Sequence, residues 1–181
     1  MSNFVFYFLA TICCTMEVLG KLGSPGGPQK LHHDVADTVK AFSSFEYAVA
    51  ISNSENDTSL ECLYATRTDV DLDAKTATYA CFFPGNGTAV LFHDRPGDQP
   101  GTVIFTVEDD PTEHEGVIYY TDYANCVIVD MEFHGHQCTL WAQRAVKDNV
   151  PQECIDQFVD TCGVTVPQHS RDLCVDGEGD Y

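Results

Sequence analysis

The side chains best equipped for chemistry in this chain are its histidines, cysteines and carboxylates, and their spacing limits what they can do. His134-Gly135-His136 sets two imidazoles two residues apart, which suits zinc ligation from one side of a strand, and His32-His33 is a second pair. Glycine between His134 and His136 marks a hairpin turn, and neither pair has a third ligand at zinc-site spacing. Both read as solvated turns, with no metal. There is no Gly-x-Ser-x-Gly, no His-Glu-x-x-His and no phosphate-cradling glycine loop. No enzymatic activity and no cofactor are expected.

What the cysteines do depends on compartment. Phe4 to Met16 is an apolar run of the length of a signal-peptide core and too short for a membrane span. Removal of residues 1–20 is expected near Gly20, which leaves one domain over 21–181. Cys13 and Cys14 leave with the leader, so nine cysteines become seven (Cys62, Cys81, Cys126, Cys138, Cys154, Cys162 and Cys174). In an oxidising, extracellular setting these predict disulfides plus one odd thiol. Sequons at Asn56 and Asn86 sit in polar, turn-like segments and predict surface glycosylation. The nine Lys and Arg face 28 Asp and Glu, of which only Glu17 leaves, so the mature charge is 9 − 27 = −18. That excess argues against nucleic acid or an anionic membrane as partner.

The elements that must position these groups follow from periodicity. Val35, Val39 and Phe42 fall at helical spacing in "LHHDVADTVKAFSSF" and predict a short helix. From there to about residue 144, eight runs rich in Val, Ile, Thr, Tyr and Phe alternate with breakers: "FEYAVAIS", "LECLYATRTDV", "TATYACFFP", "TAVLFHDR", "GTVIFTVED", "GVIYYTDY", "CVIVDMEF" and "HQCTLWAQR". "DDPTEHE" is one of the breakers. Eight strands with hairpin-length links predict an all-β, antiparallel up-and-down barrel, whose bore fits side chains or one small ligand. "VPQECIDQFVDTCG" predicts a C-terminal helix starting with Pro151 at its first position and stopping at Gly163, with Cys154, Phe158 and Cys162 on one face. The pattern is that of a lipocalin-like container.

The succession Tyr120-Thr121-Asp122-Tyr123, Cys126, Leu140-Trp141, Pro151, Cys154 and Phe158, with a late Cys174, resembles the tick salivary lipocalins, the histamine-binding-protein-like family. The resemblance runs through nearly the whole mature chain in strand order and is most specific over residues 118–163. Seven mature cysteines and two sequons are most similar to the Japanin subgroup. The resemblance implies Cys62–Cys174 and Cys126–Cys154 disulfides, with Cys138 and Cys162 as the natural third pair and Cys81 as the free thiol. Histamine-binding members carry carboxylates at positions that here hold Val117, Val127 and Thr139. Their absence argues against that amine site, although Asp122 or Asp130 could build another.

The strands are otherwise apolar and aromatic, and alternation turns about half of these side chains inward. Tyr47, Phe82, Phe92, Phe105, Tyr120, Thr139 and Trp141 are the candidate ligand-binding residues, with Tyr120 and Thr139 fixing a polar end. A barrel filled by its own aromatics remains the bland alternative. The subgroup resemblance implies a secreted, monomeric salivary protein that binds a hydrophobic molecule such as cholesterol and modulates host dendritic cells through a cell or receptor partner. Two other readings stay open: a scavenger of histamine, serotonin or leukotrienes, and a scaffold that binds a host plasma or cell-surface protein.

Overall fold

The computed structural model describes residues 34–55, 60, 63–83, 89–132 and 135–163. The expected leader, both sequons, His32, His33, Phe133, His134 and the Cys62–Cys174 pair lie outside these residues. Within them a short helix, α1 (Thr38–Ser44), precedes eight strands: β1 (Tyr47–Asn53), β2 (Tyr64–Asp71), β3 (Thr76–Phe82), β4 (Ala89–Pro96), β5 (Thr102–Val107), β6 (Asp110–Thr121), β7 (Cys126–Glu132) and β8 (His136–Gln143). A 3₁₀ turn (Arg144–Val146) leads to α2 (Gln152–Cys162). Each strand pairs antiparallel with its sequence neighbour and β8 returns to β1, so the sheet closes with no free edge. Among the described residues no helix is long and apolar enough to cross a membrane.

Three details depart from the sequence reading. Val35 is 69% exposed. It precedes the helix, because the Asp37 side chain accepts from Lys40 N at 3.0 Å and starts α1 there. The buried face is therefore Thr38, Ala41 and Phe42. "DDPTEHE" is no breaker: from Asp110 on it forms the exposed first half of β6. The β5–β6 turn is confined to Glu108 and Asp109, with Glu108 at φ 51°. Phe105 pairs with His114 and Val107 with Asp110, so Pro111 falls within a bulge where no ladder N–H is needed. Pro151 sits one residue outside α2 as its N-cap rather than at its first position, while Gly163 ends the helix at φ 72°.

The barrel wall has two apolar faces, and the better packed one is outside. In β8, Cys138, Leu140 and Ala142 are fully buried, and in β7 so are Cys126 and Ile128. All five face α2, where they cluster with Cys154, Phe158 and Cys162. Two disulfides fix the helix to this wall: Cys126–Cys154 (Cα–Cα 6.2 Å, 28 residues apart) and Cys138–Cys162 (5.7 Å, 24 apart). Loops of that length correspond to roughly 3 kcal/mol each in the chain-entropy account. The alternate residues, Val127, Val129, Thr139 and Trp141, point into the barrel. Phe158, completely buried at the centre of the outer cluster, is the side chain on which the helix seats. Phe158→Ala is expected to cost about 3–5 kcal/mol in denaturant unfolding of the oxidised protein, whereas Val35→Ala should stay within about 0.5 kcal/mol.

Candidate ligand-binding site

The barrel is hollow. A cavity of about 370 Å³ runs through it, within the range of small-molecule sites. One end is formed by Ala41, Phe42 and Phe45 on and just after α1. That end is anchored by hydrogen bonds to carbonyls near the helix C-terminus. Tyr79 Oη donates to Phe42 O and Phe45 O at 3.3 and 3.1 Å, the Arg67 guanidinium donates to the same two carbonyls, and Gln143 Nε2 donates to Ser44 O at 2.8 Å. At the other side of the helix the Asp37 N–H donates to Tyr123 Oη at 2.7 Å, and Lys40 Nζ lies 3.8 Å from the Tyr123 ring centroid.

Of the seven candidate residues, Phe92, Phe105, Thr139 and Trp141 line the cavity. Tyr47, Phe82 and Tyr120 do not. Tyr47 is followed by Ala48, which is the inward residue, and Phe82 lies between the inward Cys81 and Phe83. Tyr47, Tyr64 and Phe82 instead stack in a row, with centroids 5.6 and 4.6 Å apart. Tyr120 is displaced by a bulge: Ile118 pairs with Val129 but Tyr120 with Ile128, so Tyr119 is the extra residue and the phase of β6 shifts. Tyr120 then packs in the outer cluster under α2, where burial and the Glu153 carboxylate push its hydroxyl up to about 12.

The carboxylates considered in the sequence are also elsewhere. Asp122 closes the β6–β7 corner, accepting from the N–H groups of Ala124, Asn125 and Cys126 at 2.7–3.0 Å. Burial works to raise its pKa, but these donors outweigh it and the net direction is down. Asp122 also lies near the Cys126 and Cys154 sulfurs, which are bonded to each other and leave no thiolate for a metal. Asp130 is on β7 between inward Val129 and Met131, beside Cys138 of the outer face, with its Oδ2 3.5 Å from His136 Nδ1.

One carboxylate that the sequence reading passed over does line the cavity. In "TAVLFHDR", Val90, Phe92 and Asp94 share a strand face, and Asp94 pairs across the sheet with Ala77, which packs on Phe42. Asp94 as a whole residue is half-buried, but its Oδ1 is closed off from solvent and has no hydrogen-bond partner among the described residues. Loss of hydration pushes its pKa up to about 7. Its charge also helps raise the Tyr79 hydroxyl and the Cys81 thiol, for both of which burial is the larger cause. Cys81 is unbonded, buried and on the cavity wall. The signal for Asp94 was an acid in phase with two apolar residues on one strand.

The chain holds a single tryptophan, and Trp141 is on the cavity wall. An apolar probe that enters the barrel should therefore quench or shift its emission, and Tyr120→Phe should leave that titration unchanged. Phe105→Ala should alter it, because Phe105 is a cavity side chain only 1% exposed.

Comparison with known proteins agrees with this architecture. The family described as tick histamine binding protein matches residues 98–174, from the β4–β5 turn through α2 and beyond. The crystal structure of the AM182 serotonin complex superposes with a TM-score of 0.59 at 13% identity, covering 79% of this chain and 94% of that one, a likeness of fold. No curated protein sequence matches the chain. Over residues 98–174 the chain is thus similar to the tick histamine binding protein family, and its closed eight-stranded barrel with flanking helices has the fold of the serotonin-complex structure.

Proposed function

We propose that this chain is a secreted, non-enzymatic carrier of a small amphipathic amine, whose apolar body fills the barrel and whose ammonium group rests on Asp94. The observation behind this reading is the enclosed Asp94 Oδ1, which lacks a partner among the described residues, on a largely apolar wall. A buried acceptor left unpaired costs roughly 1–3 kcal/mol, and more if it is charged, which a cationic ligand would relieve. Asp94 is the only carboxylate on the cavity wall among the described residues, so a monocation is favoured over a dication. Val127 and Thr139 line the same cavity without charge, in keeping with a ligand set unlike that of the histamine-binding relatives.

The direction of the pH effect follows from the raised pKa. Binding an ammonium requires the carboxylate, so amine affinity should fall as pH drops below about 7. Asp94→Asn should weaken binding of serotonin or a similar monoamine at least tenfold at pH 8. Calorimetric or Trp141-emission titration would measure this, and undiminished affinity in the variant would refute the assignment. Without ligand, the folded state holds this proton to higher pH than the unfolded chain. Stability is therefore lost as pH rises from the ordinary carboxylate range through about 7. Asp94→Asn should be more stable than the parent at pH 8, on the order of 2–4 kcal/mol, with the advantage gone at pH 3.5.

A second reading is supported by the apolar wall: a neutral lipid such as the cholesterol implied by likeness to the Japanin subgroup, with modulation of dendritic cells as its outcome. A protonated Asp94 would then donate to the ligand hydroxyl, and affinity would hold or rise on acidification. Titrating cholesterol and serotonin across pH 5–8 separates the two readings by the sign of the slope.

A further inference from the structure

Outside the barrel, α2 carries a polar stripe along one edge of its buried face. Glu153, Gln157 and Thr161 recur every fourth residue, on the side of Phe158 away from Cys162. Two contacts fix which way this stripe faces. The Cys138–Cys162 bond turns the opposite edge toward β8, and the Glu153 carboxylate reaches the Tyr120 hydroxyl on β6. The stripe therefore lies toward β6 and β7, on both of which α2 packs. Asp130 is the wall residue that meets its C-terminal end. It pairs across the sheet with Cys138, so both side chains stand on the outer face, and Thr161 directly precedes the bonded Cys162.

Asp130, Gln157 and Thr161 are 6%, 6% and 2% exposed. Each has an enclosed oxygen with no hydrogen-bond partner among the described residues: Asp130 Oδ1, Gln157 Oε1 and Thr161 Oγ1. The other carboxylate oxygen, Asp130 Oδ2, lies 3.5 Å from Nδ1 of the exposed His136. Three such oxygens left bare are costly. One water donates to two of them and leaves the carboxylate charge uncompensated. A cation takes all three, and carboxylate, amide and hydroxyl oxygens are the donors that a hard ion prefers. Its contacts, about 2.3–2.6 Å for Ca²⁺, are shorter than hydrogen bonds, so it needs less room than a water. The acidic surface, with 28 Asp and Glu against nine Lys and Arg, raises the local cation concentration. We infer that the seam between α2 and β7 is a binding site for a hard cation, Na⁺ or Ca²⁺, held by Asp130 Oδ1, Gln157 Oε1 and Thr161 Oγ1. The ion joins β7 to the last turn of α2, beside the Cys138–Cys162 bond and apart from the barrel cavity. The site is therefore independent of what the cavity binds.

Thermal unfolding of the oxidised protein at constant ionic strength tests this. Choline chloride is the reference, NaCl and CaCl₂ are the two arms, and MgCl₂ controls for divalent screening of the acidic surface. The matching ion, at about a hundredfold excess over its dissociation constant, should raise the midpoint by about 4–8 °C over choline. Mg²⁺ should not match it, because that ion dehydrates reluctantly. A rise with Na⁺ assigns a monovalent site, and a rise confined to Ca²⁺ a divalent one. Thr161→Val and Asp130→Asn, which nearly keep side-chain volume, should abolish the ion-specific increment, while Glu132→Gln, at an exposed acid on the same strand, should keep it. Each variant is read against its own midpoint in choline, so lost basal stability is not counted as lost binding. Equal midpoints in choline, Na⁺ and Ca²⁺ would overturn the inference and leave the seam to water. An increment matched by Mg²⁺, or one that survives both Thr161→Val and Asp130→Asn, would overturn it as well.

Discussion

The structure depends on how its wall is packed: the barrel can stay open inside because it is held from outside. Closing a sheet satisfies backbone hydrogen bonds, but a cavity leaves only part of the interior, around Leu63, Phe92 and Phe105, to be packed from within. Here the missing cohesion comes from the outer faces of β7 and β8 against α2, secured at both ends by Cys126–Cys154 and Cys138–Cys162. The burial pattern of β7 records the arrangement, since Cys126 and Ile128 on the outside are fully buried while Val127 and Val129 on the inside are only partly so.

An interior relieved of this duty can carry groups that a packed core would reject. The carboxylate residue Asp94 and the free thiol of Cys81 share one cavity wall with Phe92, Phe105 and Trp141. The enclosed carboxyl oxygen weakens the folded protein, whereas the buried thiol packs as a small apolar group. The polar corner of β6–β7 shows the opposite case. Asp122 is surrounded by donors and its chemistry is fully spent on the turn.

Most of the fold was legible because its signals are local. Breaker residues and β-rich runs marked eight strands, and Cys154, Phe158 and Cys162, repeating every fourth residue, marked the stapled face of α2. The failures arose where local pattern met tertiary phase. Tyr120 was a candidate for the pocket, but the bulge at Tyr119 sets it on the outer face. Pro111 and its acidic neighbours read as a loop because a bulge lets proline into a strand. Asp94 was hidden for another reason. A charge among apolar neighbours is usually taken for the solvated face, although the two-residue spacing from Phe92 already puts both on one side of β4.

The helix at the end of the cavity has a consequence for how such a container can diverge. Seven residues are too few to persist as a helix without support, so α1 is held by the barrel rather than holding it. Its seat is built mainly from carbonyls near its own C-terminus, which any sequence provides. The side chains it turns inward, Ala41, Phe42 and Phe45, are thus free to change with little effect on strand pairing. Smaller residues there would deepen the bore and larger ones would shorten it. The length of the guest is then set by a detachable plug of a few residues, and a lineage could re-gauge its container without rebuilding the vessel.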